Sequence, residues 1–283
     1  MRANAARRDR VASVGCETGR RGCIPDTGQC GGYILIARMK VSVIIPAAGL
    51  GTRMAAVPAG KAAKPAASKQ FLELDSVPVL VHTLRAFAKS AEVNQVIVAL
   101  RKPEMDAFRE RMAKDASDIL KRKPIFVEGG EHRQHSVANG LAAVSAAADD
   151  VVLVHDAVRP FVTEEMIHEV VAAAQKYGAA IAAVPAVDTV KQVERTAEGA
   201  LIKATIPREK IVLAQTPQGF RYDVLRKAFD EAAADGFVGT DEASLVERSG
   251  HAVAVVMGSA RNIKITTPGD LELAAFYMRT RSD

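Results

Sequence analysis

Beyond residue 38 the chain has no cysteine: Cys16, Cys23 and Cys30 are all there are. The body therefore has no disulfide and no thiol nucleophile, and the spacing of the three does not match a usual zinc site. No apolar run approaches the roughly 18 residues of a membrane helix. The run Tyr33-Ile34-Leu35-Ile36-Ala37 is too short and too late for a signal-peptide core. Internal repeats and low-complexity tracts are also missing. Residues 1–38 hold seven arginines against three acids, which is +4 of the net +5. The remaining residues carry 31 bases against 30 acids. The pI of about 9.1 therefore says little about the body, and general nucleic-acid binding is disfavoured. These absences read as a cytoplasmic enzyme. Residues 1–38 are expected to be disordered, or foreign to the natural product if Met39 is the true start. An Arg-rich transit peptide is the alternative, although Ser13 is the segment's one serine.

The 283 residues are 48% hydrophobic, enough for the core of one large α/β domain over 39–283. Val41 to Gln70 organises that domain. Val41, Val43, Ile44 and Ile45 suit a buried parallel strand, and Pro46 stops it. Ala47-Ala48-Gly49-Leu50-Gly51 then offers backbone with almost no side chains, able to bring several N–H groups close to a phosphate or a base. Arg53 follows the second glycine, and Lys69 lies further on. Two known phosphate loops are excluded. Met54 stands where the dinucleotide fingerprint needs a third glycine, and no Gly-Lys-Ser/Thr closes a P-loop. An ordinary strand-to-helix turn is the plain alternative, made less apt by the cations that follow.

The rest of the chain alternates strands and helices, the pattern of a Rossmann-like, mostly parallel twisted sheet with helices on both faces. Strands are expected at Phe71–Leu74, Asn94–Leu100, Ile125–Val127, Val151–Val154, Ala180–Val184, Ala252–Met257 and Asn262–Thr266. Helices are expected from Pro78, from Pro103 to about Ile119, at Val137–Val144, at Glu164–Tyr177 with Thr163 as cap and Gly178 as stop, at Tyr222–Ala234, after Thr240 as cap, and after Thr267. Residues 185–210 differ. Two alternating runs flank Glu198-Gly199 as a hairpin, and a lone hairpin is marginal in water. It should pack on something, with a second subunit as the natural candidate. His155-Asp156 follows the clearest buried strand. An aspartate at a strand's carboxyl end is well placed to hold magnesium on a triphosphate.

These segments resemble a known family, the cytidylyltransferases that act on 2-C-methyl-D-erythritol 4-phosphate. The resemblance runs from Val41 to Thr280 through six motifs in the family's order. They are Ala-Gly-x-Gly-x-Arg-Met with a following lysine, Gly-Gly-x-x-Arg-x-x-Ser, Val-His-Asp-Ala-x-Arg-Pro, Asp-Thr-x-Lys, Thr-Asp-Glu-Ala-Ser and Asn-Ile-Lys. It implies transfer of CMP from CTP to the sugar-alcohol phosphate with release of pyrophosphate, a Mg2+ cofactor, and a homodimer joined by the projecting β-arm with sites shared across the interface. Arg53, Lys69 and Lys264 take the catalytic role. Ala47, Ala48, Gly49, Gly51, Gly129, Gly130, Arg133 and Ser136 read the nucleotide. Asp156, Arg159, Thr189, Lys191 and Arg208 face the acceptor, and Asp156 with Asp241 holds the metal. The family lysine usually follows proline after a shorter loop, so Lys64 stays a rival to Lys69. Asp241 also reads simply as an acid in a helix's first turn, and Lys264 as a surface strand charge. A nucleotidyltransferase for another acceptor, such as ribitol 5-phosphate, is the nearest rival. A nucleotide-binding regulator without catalysis is a rival of another class, against which Arg53, Lys69, Asp156 and Asp241 stand together. A Rossmann-type oxidoreductase is disfavoured by the missing glycine.

Overall fold

A computed structural model describes residues 39–49 and 68–280, all within the compact unit Arg38–Asp283. β1 (Val41–Pro46) leads across to a 3-10 turn at Lys69–Phe71 and the short antiparallel pair β2 (Glu73–Leu74) and β3 (Val77–Pro78). There follow α1 (Val79–Lys89), β4 (Val93–Leu100), α2 (Lys102–Asp115), α3 (Ser117–Leu120), β5 (Ile125–Glu128), α4 (Arg133–Ala142), β6 (Val151–Val154), α5 (Glu164–Tyr177) and β7 (Ala179–Pro185). The hairpin β8 (Val190–Thr196) and β9 (Gly199–Ile206) comes next. After it come β10 (Val212–Arg221), α6 (Tyr222–Ala234), α7 (Glu242–Arg248), β11 (Ala254–Met257) and α8 (Pro268–Arg279).

Seven strands form the main sheet in the order β11-β7-β10-β6-β1-β4-β5. β10 is antiparallel to both its neighbours, and the other pairings are parallel. The sheet is therefore mostly parallel, as the alternation of elements requires. Both faces are covered, and Val41–Ile45 of β1 are all buried, with Ser42 the strand's one polar side chain. Val43 and Ile45 point into one core layer with α1, α2 and α5, through Leu84, Phe87, Met112 and Ile167. Ile44 points into the other with α4, α6 and α7, through Leu141, Leu225 and Val246. The chain moves from β1 outward to β4 and β5 on one side, then returns to β6 on the other. That reversal opens a crevice at the carboxyl ends of β1 and β6, where ligands bind in open α/β sheets.

Several sequence expectations change in detail. The helix expected from Pro103 to Ile119 is two helices, broken at Ala116 (φ −151°, ψ 45°). Arg85 donates to the Asp115 carbonyl, taking an acceptor that a continuing helix would use. Of the strand expected at Phe71–Leu74, Glu73–Leu74 pairs with β3 and Phe71 belongs to the 3-10 turn. Asn262–Thr266 is not a strand. Asn262 is fully buried and turns its amide to Gln215 and Thr216, while Ile265 N–H donates to the Val158 carbonyl, so the segment is tied to site loops and not to a ladder. The cap of α7 is Asp241 and not Thr240. One residue later, the third helical position is Ser244, which returns a hydrogen bond to the cap and closes a capping box. Counted from Thr240 it would be Ala243, which has nothing to return. The Thr216-Pro217-Gln218 run lies inside β10, where pairing with β7 breaks between Ala214 and Gln218 around a proline that has no N–H for the ladder.

Candidate active site

Small residues let the crevice close around backbone. Ala47 N–H donates to the Ala99 carbonyl and Gly129 N–H to the Leu100 carbonyl, so the loops after β1 and β5 both lean on the end of β4. A Cβ on Gly129 would stand 2.3 Å from Ala48 Cβ, and one on Gly130 would stand 2.2 Å from His135 Cβ. Neither position has room for a side chain. Ser136, in the first turn of α4, accepts from Gly130 N–H at 3.0 Å and holds the turn shut. Buried Gln70 donates from Nε2 to the Ala47 carbonyl at 2.6 Å, fixing the other wall. Ala47, Ala48, Gly49, Lys69, Gln70, Gly130, Arg133, Ser136, Asp156 and Lys264 all line one pocket.

Asp156 is its charged centre. Its N–H donates to Thr216 Oγ1 at 3.0 Å, and the Thr216 carbonyl accepts from Asn262 Nδ2 at 2.8 Å, so β10 and the 262–266 segment position the carboxylate. Lys264 Nζ lies 2.9 Å from Oδ2 and Arg159 Nε 3.3 Å from the same oxygen, while Arg133 Nε lies 3.4 Å from Oδ1. Burial opposes the charge, but Arg133, Lys264 and Arg159 outweigh it and hold the carboxyl well below the usual range. Burial likewise opposes the charge of Arg133, and Glu242, Asp156 and Asp241 reverse that effect and raise its pKa. Arg159 is pushed down by burial, with Asp156 opposing. Arg159 also donates to the Asn262 carbonyl at 2.7 Å, which places it behind Asp156.

Neighbouring His155 is fully buried against Phe87. Its Nε2 is 3.0 Å from the Arg159 carbonyl, so Nε2 carries the proton and donates. Burial lowers its pKa to about 4, and the ring is neutral at pH 7.

Other sequence candidates lie elsewhere. Lys191 is on the hairpin, donating to Thr205 at 2.7 Å, and Arg208 just beyond it donates to the Val187 carbonyl at 2.7 Å. Thr189 immediately precedes β8. Within the single chain the described residues do not bring these three to the pocket wall. Gly51, Arg53 and Lys64, like residues 1–38, lie outside the described residues. Gln70, Thr216, Glu242 and Asn262 were not among the candidates. Gln70 was legible only as a neighbour of Lys69, and Glu242 and Asn262 only as members of motifs.

Among the described residues no group of three or more His, Cys, Asp or Glu side chains is arranged to hold a metal ion. Asp156 offers one pocket carboxylate, its Oδ2 held by Lys264 and Arg159 and its Oδ1 facing Arg133 Nε at 3.4 Å. A magnesium ion on a nucleotide takes most of its ligands from phosphate and water and needs only one or two carboxylates. The residues fit such an ion through Asp156. Asp241 is differently engaged. Its Oδ1 accepts from Ser244 N–H at 3.0 Å and its Oδ2 from Gln218 at 2.7 Å.

Comparison with known proteins gives a consistent result. The family model described as 2-C-methyl-D-erythritol 4-phosphate cytidylyltransferase matches residues 41–280. The chain is similar to proteins of that name from Acidobacterium capsulatum, 58% identical over 86% of this chain and 99% of the relative, and from Solibacter usitatus, 50% identical over 85% and 96%. Among solved structures it is similar to the same-named enzymes of Thermus thermophilus (TM-score 0.65, 37% identity, 85% of this chain and 100% of that one) and Francisella tularensis (0.68, 35%, 84% and 99%).

Proposed function

The chain belongs to the 2-C-methyl-D-erythritol 4-phosphate cytidylyltransferase family, and we propose from that premise how its residues carry the reaction. The enzyme is a cytidylyltransferase that makes 4-diphosphocytidyl-2-C-methyl-D-erythritol in isoprenoid synthesis, using CTP. In the reaction an oxygen of the acceptor phosphate bonds to the α-phosphorus of CTP. The bond from that phosphorus to the bridging oxygen of the β-phosphate breaks, and pyrophosphate leaves.

The observation that carries the residue assignment is the caged carboxylate. Asp156 stands at the crevice end of β6 beside Lys264, facing the small-residue loop after β1 and Lys69. A phosphate monoester has a second pKa near 6, so the nucleophile is already ionised at pH 7 and no general base is needed. The difficulty is holding two anions together and stabilising charge on the α-phosphate, which fixed cations do. Arg53, Lys69 and Lys264 take that role. Ala47, Ala48, Gly49, Gly51, Gly129 and Gly130 present backbone to cytosine and ribose, with Arg133 and Ser136 holding that wall. Arg159, Thr189, Lys191 and Arg208 serve the acceptor phosphate. Asp156 would hold Mg2+, and Asp241 would serve as the second carboxylate by giving up its bond from Gln218. Bound there, Mg2+ would supply positive charge that offsets the charge of the phosphates.

The hairpin exposes Val193, Leu201 and Ile202, each 47% or more. That apolar surface supports a homodimer in which the arm carries Thr189 and Arg208 toward the partner's pocket. Residues 39–283 form the catalytic domain, and residues 1–38 are an extension outside it. No helix among the described residues is long and apolar enough to cross a membrane, and the use of CTP supports a cytoplasmic site of action. Pyrophosphate release measured with four nucleoside triphosphates and a panel of alditol phosphates tests the reading. CTP with 2-C-methyl-D-erythritol 4-phosphate should exceed every other pair, and a higher kcat/KM with ribitol 5-phosphate would overturn the acceptor assignment.

A further inference from the structure

Ser68 stands directly before Lys69 and is 4% exposed. Its backbone angles, φ −56° and ψ 138°, are ones that any residue adopts without strain, proline included. The turn therefore needs no serine for its shape. The side chain is nonetheless engaged both as donor and as acceptor. Its Oγ donates to Glu104 Oε1 at 3.0 Å and accepts from Arg101 Nη2 at 2.9 Å. Arg101 also donates to that same Oε1, which closes a triangle of hydrogen bonds.

The other two corners lie at the end of β4. Arg101 follows Leu100, whose carbonyl accepts from Gly129 N–H, and Glu104 sits in the first turn of α2. Ser68 reaches across 33 and 36 residues to that frame. Arg101 and Glu104 are a partly exposed ion pair three residues apart, which contributes little stability and could form without Ser68. What Ser68 adds is an anchor for the turn Lys69–Phe71. Its carbonyl accepts from Phe71 N–H at 2.8 Å and begins that turn. On the other side of Lys69, Gln70 is bonded to the Ala47 carbonyl. Lys69 thus lies between two side-chain anchors, one to the loop after β1 and one to the start of α2, and it lines the pocket. Lysine carries its charge on a flexible four-carbon stem, so a backbone fixed on both sides narrows where the ammonium can go.

We propose that Ser68 is a positioning residue for the transfer reaction: with Glu104 and Arg101 it fixes the turn that aims Lys69 at the triphosphate. The proposal rests on the reading of Lys69 as a cation that stabilises charge on the α-phosphate. Ser68 itself does not line the pocket and acts through its neighbour. Stabilisation of developing charge depends on fixed geometry, and a misplacement of about 1 Å can cost about a hundredfold in rate.

The test is a double-mutant cycle on the full chain, with kcat and KM for CTP measured well below the melting temperature. Four proteins are compared: wild type, Ser68→Ala, Lys69→Ala and the double variant. Ser68→Ala should lower kcat by about tenfold and leave KM for CTP within about threefold, the pattern of a lost transition-state interaction. In the Lys69→Ala background the same substitution should change kcat by less than about twofold, because the residue it positions is gone. A merely structural serine would cost as much in either background. Equal losses in the two backgrounds, a rise in KM alone, or wild-type kcat in Ser68→Ala overturns the proposal. Should Ser68→Ala fail to fold by circular dichroism, Glu104→Ala takes its place, since it removes the acceptor of the Oγ bond, and the same comparisons decide. If Lys69→Ala keeps wild-type kcat, the reading of Lys69 is what falls, and the proposal falls with it.

Discussion

Gln70 donates from its side-chain amide to the main-chain carbonyl of Ala47 at 2.6 Å, 23 residues away and out of contact with water. The turn that carries Lys69 is thereby fastened to the loop that follows β1. Gln70→Ala leaves that carbonyl without its partner, at a cost of about 1–3 kcal/mol. The melting temperature should fall, and CTP affinity by calorimetry should fall with it because the pocket wall loosens. Unchanged values of both would show that the bond is incidental.

The two candidate lysines differ in what surrounds them. Lys69 is buried, at 9% exposure, and lines the pocket beside Gln70. Lys64 precedes it in the loop outside the described residues. Lys69→Ala should lower kcat by two orders of magnitude or more, the range for removing one electrostatic stabiliser of a transition state. Lys64→Ala should cost far less. The opposite ranking in steady-state assays would transfer the role to Lys64.

His155 makes stability depend on pH. Its folded pKa is about 4, lowered by burial, and unfolded histidine titrates near 6.5. Between those values the unfolded chain binds the extra proton, so stability is full above about pH 6.5 and erodes as pH falls toward 4, by roughly 3 kcal/mol in all. Asp156, held below the usual carboxylate range, adds a loss only at lower pH. Glu242, raised by burial against the pull of Arg133, acts in the opposite sense. His155→Gln isolates the histidine contribution because it keeps a donor for the Arg159 carbonyl and does not titrate. Urea denaturation at pH 6.5, 5.5 and 4.5 should show wild type losing the extra stability and the variant keeping a flatter profile. Parallel profiles would mean the ring is accessible to protons in the native state.

A chain beginning at Met39 should keep the melting temperature and kcat of the full chain. The family match begins at residue 41, and all three cysteines and most of the excess positive charge precede Met39. A large drop in either measurement would assign the first segment a structural part.

Two inactive variants should complement each other if the arm serves its neighbour. Lys69 lies in the pocket, and Arg208 lies beyond the hairpin, bonded to the Val187 carbonyl. Co-refolding Lys69→Ala with Arg208→Ala makes about half the dimers mixed. One site of each mixed dimer then carries both lesions and the other carries neither. About a quarter of wild-type activity should return in the mixture. No recovery, with mixed dimers verified by mass, would place both groups in one subunit.

The sequence alone determined the features that depend on near neighbours. The apolar run of β1 demanded burial on both faces, Thr163 and Gly178 bounded α5, and the glycine pair at 129–130 marked backbone that something must approach closely. Motif residues at the ends of strands were legible for the same reason: a strand's carboxyl end is visible where its apolar run stops. What only the tertiary structure decided spans long separations. Arg133 meets Glu242 across 109 residues, and Asp156 meets Thr216 across 60. The hidden strand β10, interrupted by Pro217, runs against the rest of the sheet and brings Thr216 to that site. Such contacts depend on strand order and direction, which local periodicity does not encode. A buried Glu in a first helical turn reads as helix-dipole pairing until the fold sets an arginine against it.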